Sequence, residues 1–263
     1  MRQRYLEAYD RQLRTGSEMK GALDVVVHGP LLMALFPGGR GFVTYEGLDE
    51  ADADDPGALV DAVIAHFRTV PGITAVEWKT RGHDRAPGLH QALAARGFLA
   101  EDPESIMIGE AALLAKPVPV PAGIEIRRAR SDADVWAMEE MQGKVFGDPE
   151  WAARAATTVQ RLREGTSVEF WLATHQEHVV SAGRLEPVDD TDFAGLWGGA
   201  TLPEWRGRGI YRALTAERAR SALALGKRYL QCDSTEFSRP ILERSGLIRV
   251  STTTPYVWRP AGG

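Results

Sequence analysis

Leu202-Pro-Glu-Trp-Arg-Gly-Arg-Gly-Ile-Tyr-Arg-Ala-Leu214 is the stretch that decides how this chain folds. Before it, 193–202 (FAGLWGGATL) has extended character. After it, Ile210, Ala213, Leu214, Ser221, Ala222 and Leu225 recur at helical spacing up to Gly226. Between them Gly207 and Gly209 alternate with Arg206 and Arg208. A strand, a glycine turn and a helix in that order aim successive N–H groups and a helix dipole at one point, which suits an anion. Arginine forks suit phosphate oxygens. Residues 204–228 hold seven Arg or Lys against two Glu, in a chain of 263 residues with formal net charge −5. Neither the lysine-ending P-loop nor the dinucleotide glycine spacing is present. The stretch therefore predicts a phosphate-bearing ligand of another kind.

Working outward, the chain alternates strands and helices, which predicts an α/β architecture with mixed sheets. Downstream come a strand at 229–232, a short helix at 240–245 ended by Gly246, and strand material at 250 and 256–258. Upstream, 124–127 reads as a strand and Ser131 as the N-cap of a helix over 135–142. Strands follow at 169–174 and 179–185. The first half uses similar grammar: a polar helix at 2–14, strands at 23–27, 31–36 and 41–45, a helix at 58–67, a strand at 73–78, a helix at 87–96 and a strand at 105–108. Lys116-Pro-Val-Pro-Val-Pro-Ala-Gly123 forbids a helix and divides the two halves. Both halves end alike, in Leu93-Ala-Ala-Arg-Gly97-Phe98 and Leu242-Glu-Arg-Ser-Gly246-Leu247. The expected organisation is a tandem of domains at 1–115 and 124–263 joined by a linker at 116–123.

The run Arg206-Gly-Arg-Gly209-Ile-Tyr211, with its preceding strand and proline, resembles the acetyl-CoA-binding signature of the GCN5-related N-acetyltransferase (GNAT) superfamily. The resemblance covers about 124–260. It implies that Arg206, Gly207, Arg208, Gly209, Ile210 and Tyr211 hold the pyrophosphate of acetyl-CoA. Gly199, Ala200, Thr201 and Leu202 would pair with its pantetheine arm. Two departures stand out: Tyr211 replaces a small residue of the signature, and Leu242 stands where the family often has a tyrosine serving as acid to the leaving thiolate. Thr235, Ser238 or Tyr256 could take that role, with Thr235 and Ser238 also flanking the co-substrate. The first half has seven acids and no base from Glu46 to Asp61, where its own phosphate loop would fall. It reads as a degenerate acetyltransferase-like domain without a CoA site.

Acetyl transfer to an amine requires a neutral amine, so a base should stand near the thioester. Glu186, just after the strand at 179–185, is the candidate; Asp189, Asp190 and Asp192 lie in a predicted hairpin loop. Phe146 and Trp151, in the irregular segment at 143–156, are candidate acceptor-binding residues. His175 and His178 lack a third ligand nearby, and one cysteine, Cys232, makes neither an internal disulfide nor a cysteine cluster. No metal is expected. The pI near 5.7 argues against nucleic acid as partner, and the apolar runs are too short to cross a bilayer. The charged N-terminus has no signal-like centre, so a cytoplasmic enzyme is the expectation. Its partner would be a small-molecule or peptide amine; a homodimer is compatible with the sequence. The competing reading is a CoA-binding sensor or assembly module without turnover.

Overall fold

The computed structural model describes residues 1–48 and 55–260; residues 49–54 of the acidic loop lie outside the described residues. Contacts divide the chain into two compact units, Met1–Met107 with Asp233–Arg239 and Arg249–Gly263, and Ile108–Cys232 with Pro240–Ile248.

The first unit opens with α1 (Arg2–Leu13) and a 3-10 turn at Thr15–Met19, followed by β1 (Asp24–His28), β2 (Leu31–Phe36) and β3 (Arg40–Tyr45). After the acidic loop come α2 (Pro56–Arg68), β4 (Ala75–Arg81), α3 (Leu89–Ala95), β5 (Leu99–Ala100) and the start of β6 (Glu104–Glu110). β1, β2 and β3 form an antiparallel meander, and β4 joins β3 in parallel. The period of two sorts β4 into faces. Val76 and Trp78 enter a core with Val43, Val63, Phe67, Leu93 and Phe98. Glu77, Lys79 and Arg81 point to the other face.

The last strand of the chain belongs here as well. This end of the chain was expected with the second domain, but residues 253–258 pair with β4 of the first unit. β12 (Ile248–Trp258) runs antiparallel to β4, from Thr253↔Arg81 to Trp258↔Val76. Its Trp258 ring lies 6.4 Å from Phe98 in the core. Strand pairing over this distance in sequence leaves no local signal, so the linker alone could not reveal it.

The second unit contains α4 (Ala111–Leu114), β7 (Glu125–Arg128), α5 (Asp132–Phe146), α6 (Trp151–Arg163), β8 (Glu169–His175), β9 (His178–Pro187) and β10 (Phe193–Thr201). Then come α7 (Ile210–Ala224), β11 (Tyr229–Ser234) up to Cys232, and α8 (Arg239–Ser245) from Pro240. β7, β8, β9 and β10 are successively antiparallel, and β11 is parallel to β10. Ser131 caps α5 in a capping box with Asp134. That helix outruns its expected end at 142, and together α5 and α6 cover most of what read as an irregular segment. Its Ala155 and Val159 are buried, at a spacing the sequence reading passed over. One sheet face packs Val135, Met138 and Val159 from α5 and α6 against Phe170, Leu172, Ala182 and Ala200. The other carries Ala173 and Val180 under Ile210 of α7.

Candidate functional site

The site begins where β10 leaves β11. Their pairing runs Phe193↔Tyr229, Ala194↔Leu230 and Gly195↔Gln231, and goes no further. From Leu196 onward, β10 pairs with β9 alone among the described residues, which leaves a wedge along its other backbone edge. The register with β9 slips between Trp197 and Ala200. At that bulge Gly198 has φ +59°, a conformation glycine adopts readily. Gln142 of α5 donates from Nε2 to the Gly198 carbonyl at 2.6 Å, which pins the bulge. Ser181 bonds both the Ala200 carbonyl (2.7 Å) and the Thr201 hydroxyl (2.8 Å), and Leu202 N–H donates to Val180 O at 3.0 Å. Gly199 is exposed, Ala200 is buried, and Thr201 and Leu202 are half-buried.

Beyond Leu202 a 3-10 turn at Pro203–Trp205 lifts the chain off the sheet into the glycine loop. Gly207 and Gly209 take φ +74° and +83°, and a Cβ at either would meet no atom within 4 Å. Gly209 is the N-cap of α7, and no side chain caps that helix. The first-turn N–H groups of a helix have no intrahelical acceptor, so this terminus can hold an anion. Arg206 donates from Nε to Thr201 O at 3.0 Å, and Arg208 lies 4.7 Å above the Trp205 ring, which packs on His175 at 4.8 Å. Both arginines are exposed, and buried Ile210 anchors the helix start. Tyr211 folds back over β10, its hydroxyl 2.6 Å from where a Cβ on Gly199 would sit, with the Arg218 guanidinium 5.6 Å from its ring. Bare backbone, positive charge and an uncapped helix end together fit a pyrophosphate.

The remaining candidates scatter. Glu186 lies within β9, opposite Gly195. Its Oε1 accepts from Arg184 Nε at 2.7 Å and stands 3.6 Å from Arg161 Nη2. Trp151 packs beneath Gly143 and edge-on to Trp136 at 6.0 Å, filling the space between α5 and α6. Phe146 is 57% exposed at the end of α5. Thr235, Ser238 and Tyr256 belong to the first unit. There Ser238 Oγ bonds Ser234 Oγ (2.8 Å) and Thr235 Oγ1 (3.2 Å), while Tyr256 Oη pairs with His90 Nδ1 at 2.9 Å. Leu242 is buried in α8, and Cys232 is a buried free thiol. Gln142, Ser181 and Arg184 escaped the sequence reading. The doubled glycine at 198–199 was a signal for the bulge, whereas nothing local marks its partners. A cavity of about 740 Å³ opens at the far end of α7, beside Arg128, Glu169, Asp189, Leu225 and Lys227, remote from the glycine loop.

A wedge between parallel strands here leads to a glycine loop and an uncapped helix, an arrangement suited to an extended phosphate-bearing ligand. Residues 133–246 match the family model described as Acetyltransferase (GNAT) family, so this part of the chain belongs to the GNAT acetyltransferases. Solved structures extend the likeness in fold to the whole chain. A GCN5-related N-acetyltransferase from Kribbella flavida is 17% identical with a TM-score of 0.69, over 99% of this chain and 95% of that one. A tandem GNAT protein from the clavulanic acid biosynthesis pathway, solved without acetyl-CoA, is 17% identical with a TM-score of 0.62, over 89% and 81%. A GCN5-related N-acetyltransferase from Sphaerobacter thermophilus is 17% identical with a TM-score of 0.60, over 92% and 84%. No curated protein matches the chain. The family is one of acetyltransferases that generally use acetyl-CoA, and no helix among the described residues is long and apolar enough to cross a membrane.

Proposed function

We propose that the second unit binds acetyl-CoA and transfers its acetyl group to an amine by direct attack, with one site per chain. The observation that carries this reading is the join of the open β10 edge to the uncapped N-terminus of α7 through Gly207 and Gly209. In this reading the N–H groups of 207–211 and the charges of Arg206 and Arg208 hold the pyrophosphate. The edge of Gly199 to Leu202 that faces away from β9 pairs with the pantetheine amides. Acetyl-CoA supplies an activated thioester, and the amine's C–N bond forms as the C–S bond breaks. The bulge at Gly198, pinned by Gln142, orients the reacting end. Glu186 is the proposed base. One of its carboxylate oxygens is engaged by Arg184 and Arg161, and no partner is seen on Oε2 among the described residues. The amine proton would pass to that oxygen directly or through water.

The test is calorimetric titration with acetyl-CoA, followed by an amine panel. One site per chain with turnover is the expected result. Arg208→Glu combined with Gly209→Val should weaken acetyl-CoA binding at least about tenfold, through charge reversal and blocked backbone. Unchanged affinity in a folded variant overturns the assignment. Leu242, buried where the family often has an acid, favours the second reading of a CoA-binding module without turnover. Binding with no amine accepted would select it.

A further inference from the structure

β1 is the end strand of the first unit's sheet, paired with β2 from Asp24↔Leu35 to His28↔Leu31. Its outer N–H and C=O groups meet no strand among the described residues. Val25 and Val27, on one face, are 41% and 70% exposed, and Leu23 just before them is 69% exposed. Natural edge strands are usually blunted by lysine, proline, a bulge or a covering element. The sequence Asp24-Val-Val-Val-His28 has no lysine or proline, and its ladder with β2 is unbroken.

The second unit shows what is missing. Its meander β8-β9-β10, followed by α7 and β11, has the same order as β1-β2-β3, α2 and β4. There β7 covers the outer edge of β8, antiparallel from Glu125↔Thr174 to Arg128↔Trp171. The first unit has no counterpart of β7 among the described residues, so the uncovered edge calls for an antiparallel strand.

We infer that the missing strand is β1 of a second copy of this chain, forming a two-fold dimer. A two-fold axis perpendicular to a sheet keeps each residue on its face, and facing residues of an antiparallel pair share a face. The axis must therefore pass through a residue, and Val26 is the centre that pairs all five. Asp24 then faces His28 of the other copy, twice, and Val25 faces Val27, twice. Asp24 and His28 are both exposed and have no partner among the described residues. A carboxylate facing an imidazole N–H at both ends and apolar residues between them make the strand complementary to itself. Centres at Val25 or Val27 forfeit these pairs and run the strand into Ala22 or Pro30.

Sedimentation velocity of the full chain over a wide concentration range tests this. The expected result is a monomer–dimer equilibrium. Val27→Lys should raise its dissociation constant at least about tenfold, because it sets a desolvated charge against an apolar partner. Leu99→Lys, at another exposed apolar position, should leave it unchanged. Asp24→Lys should weaken the dimer and Asp24→Lys with His28→Glu should restore it, a rescue that a folding defect would not give. A chain that stays monomeric at every concentration, or a dimer indifferent to Val27→Lys and to the charge swap, overturns the inference.

Discussion

Replacing Lys79 by Met probes the charged face of the first unit. Lys79 Nζ lies 3.2 Å from Asp233 Oδ2 and 3.6 Å from Glu18 Oε1, with the three side chains 18%, 10% and 11% exposed. At an effective dielectric of about 20, each contact is worth roughly 5 kcal/mol in gross Coulomb energy. Desolvation cancels much of that, and deleting one member of such a buried pair costs about 3–5 kcal/mol, because the remaining charge stays buried. Glu18 keeps Arg81 at 2.5 Å and the Thr44 hydroxyl at 2.7 Å. The orphan is Asp233, whose Oδ1 already has no partner. The lower end, about 3 kcal/mol, is therefore expected, a fall of roughly 10 °C in melting for a unit of this size. Differential scanning calorimetry at pH 7 reads it directly. Methionine fills the lysine stem's volume, so packing loss contributes little. Asp233→Asn on the same background should recover much of the loss. A Lys79→Met protein melting within a degree or two of the parent would refute the reasoning, showing that water reaches Asp233.

Glu77 sits on the same face with its carboxyl raised above its ordinary value, by burial first and then by Glu101 and Glu18, against the opposing pull of Lys79. A raised carboxyl costs folding stability at high pH and nothing once both states are protonated; Glu77→Gln should therefore stabilise at pH 7, with the gain fading toward pH 4 in denaturant titrations. Asp134 is the opposite case. The Arg127 fork and the backbone of Arg130 hold it at about 2 against the cost of burial, so its contribution persists at neutral pH and is lost only as pH falls from about 4 towards 2. Ser131→Ala removes the reciprocal cap of α5 and should cost about 1 kcal/mol in chemical denaturation, where an uncapped helix start would show no change. Arg14→Met should cost more than Arg96→Met: Arg14 is buried against Asp84 at 2.9 Å, whereas Arg96 pairs with Asp61 at the surface, where solvent screens the contact.

What could be read from the chain was whatever local chemistry enforces. The loop at 206–209 announced itself because glycine at positive φ and an uncapped helix start leave marks within a few residues. The capping box at Ser131 and the helix stops at Gly97, Gly226 and Gly246 were legible for the same reason. Long-range decisions were silent. Nothing near Thr253 tells it to pair with Arg81, and nothing in α5 tells Gln142 to reach the carbonyl of Gly198. Trp151 reads equally well as pocket or filler until Gly143 is found beneath it. Glu186 is the reverse case: its chemistry was visible, while the two arginines that hold it were not.

The same limit bears on why the two repeats differ, because the acids from Glu46 to Asp61 are only half of the contrast. In the first unit β3 and β4 pair in parallel from Arg40↔Ala75 to Val43↔Trp78, as β10 and β11 do over their first residues. Past Val43 the chain's own N-terminal segment bonds to both strands. Arg14 donates from Nη2 to the backbone carbonyl of Tyr45 at 2.6 Å, in the position where β10 leaves its edge open. Arg81 of β4 reaches across to the Thr44 hydroxyl at 3.3 Å and to Glu18. Arg14 is in turn held by Asp84, and the buried Tyr45 hydroxyl is pushed well above its usual range, first by burial and then by the Asp84 charge. A carbonyl already supplied with a donor is not offered to an amide-bearing arm, and charges locked in buried pairs are not free to meet a phosphate. On the proposed acetyl-CoA reading, these contacts by themselves predict one site per chain, without appeal to the acidic loop. Neutralising two of those seven acids by Asp55→Asn and Asp61→Asn should therefore leave the stoichiometry at one, and a second binding event on titration would show that charge, and not the contacts of Arg14 and Arg81, had been the barrier.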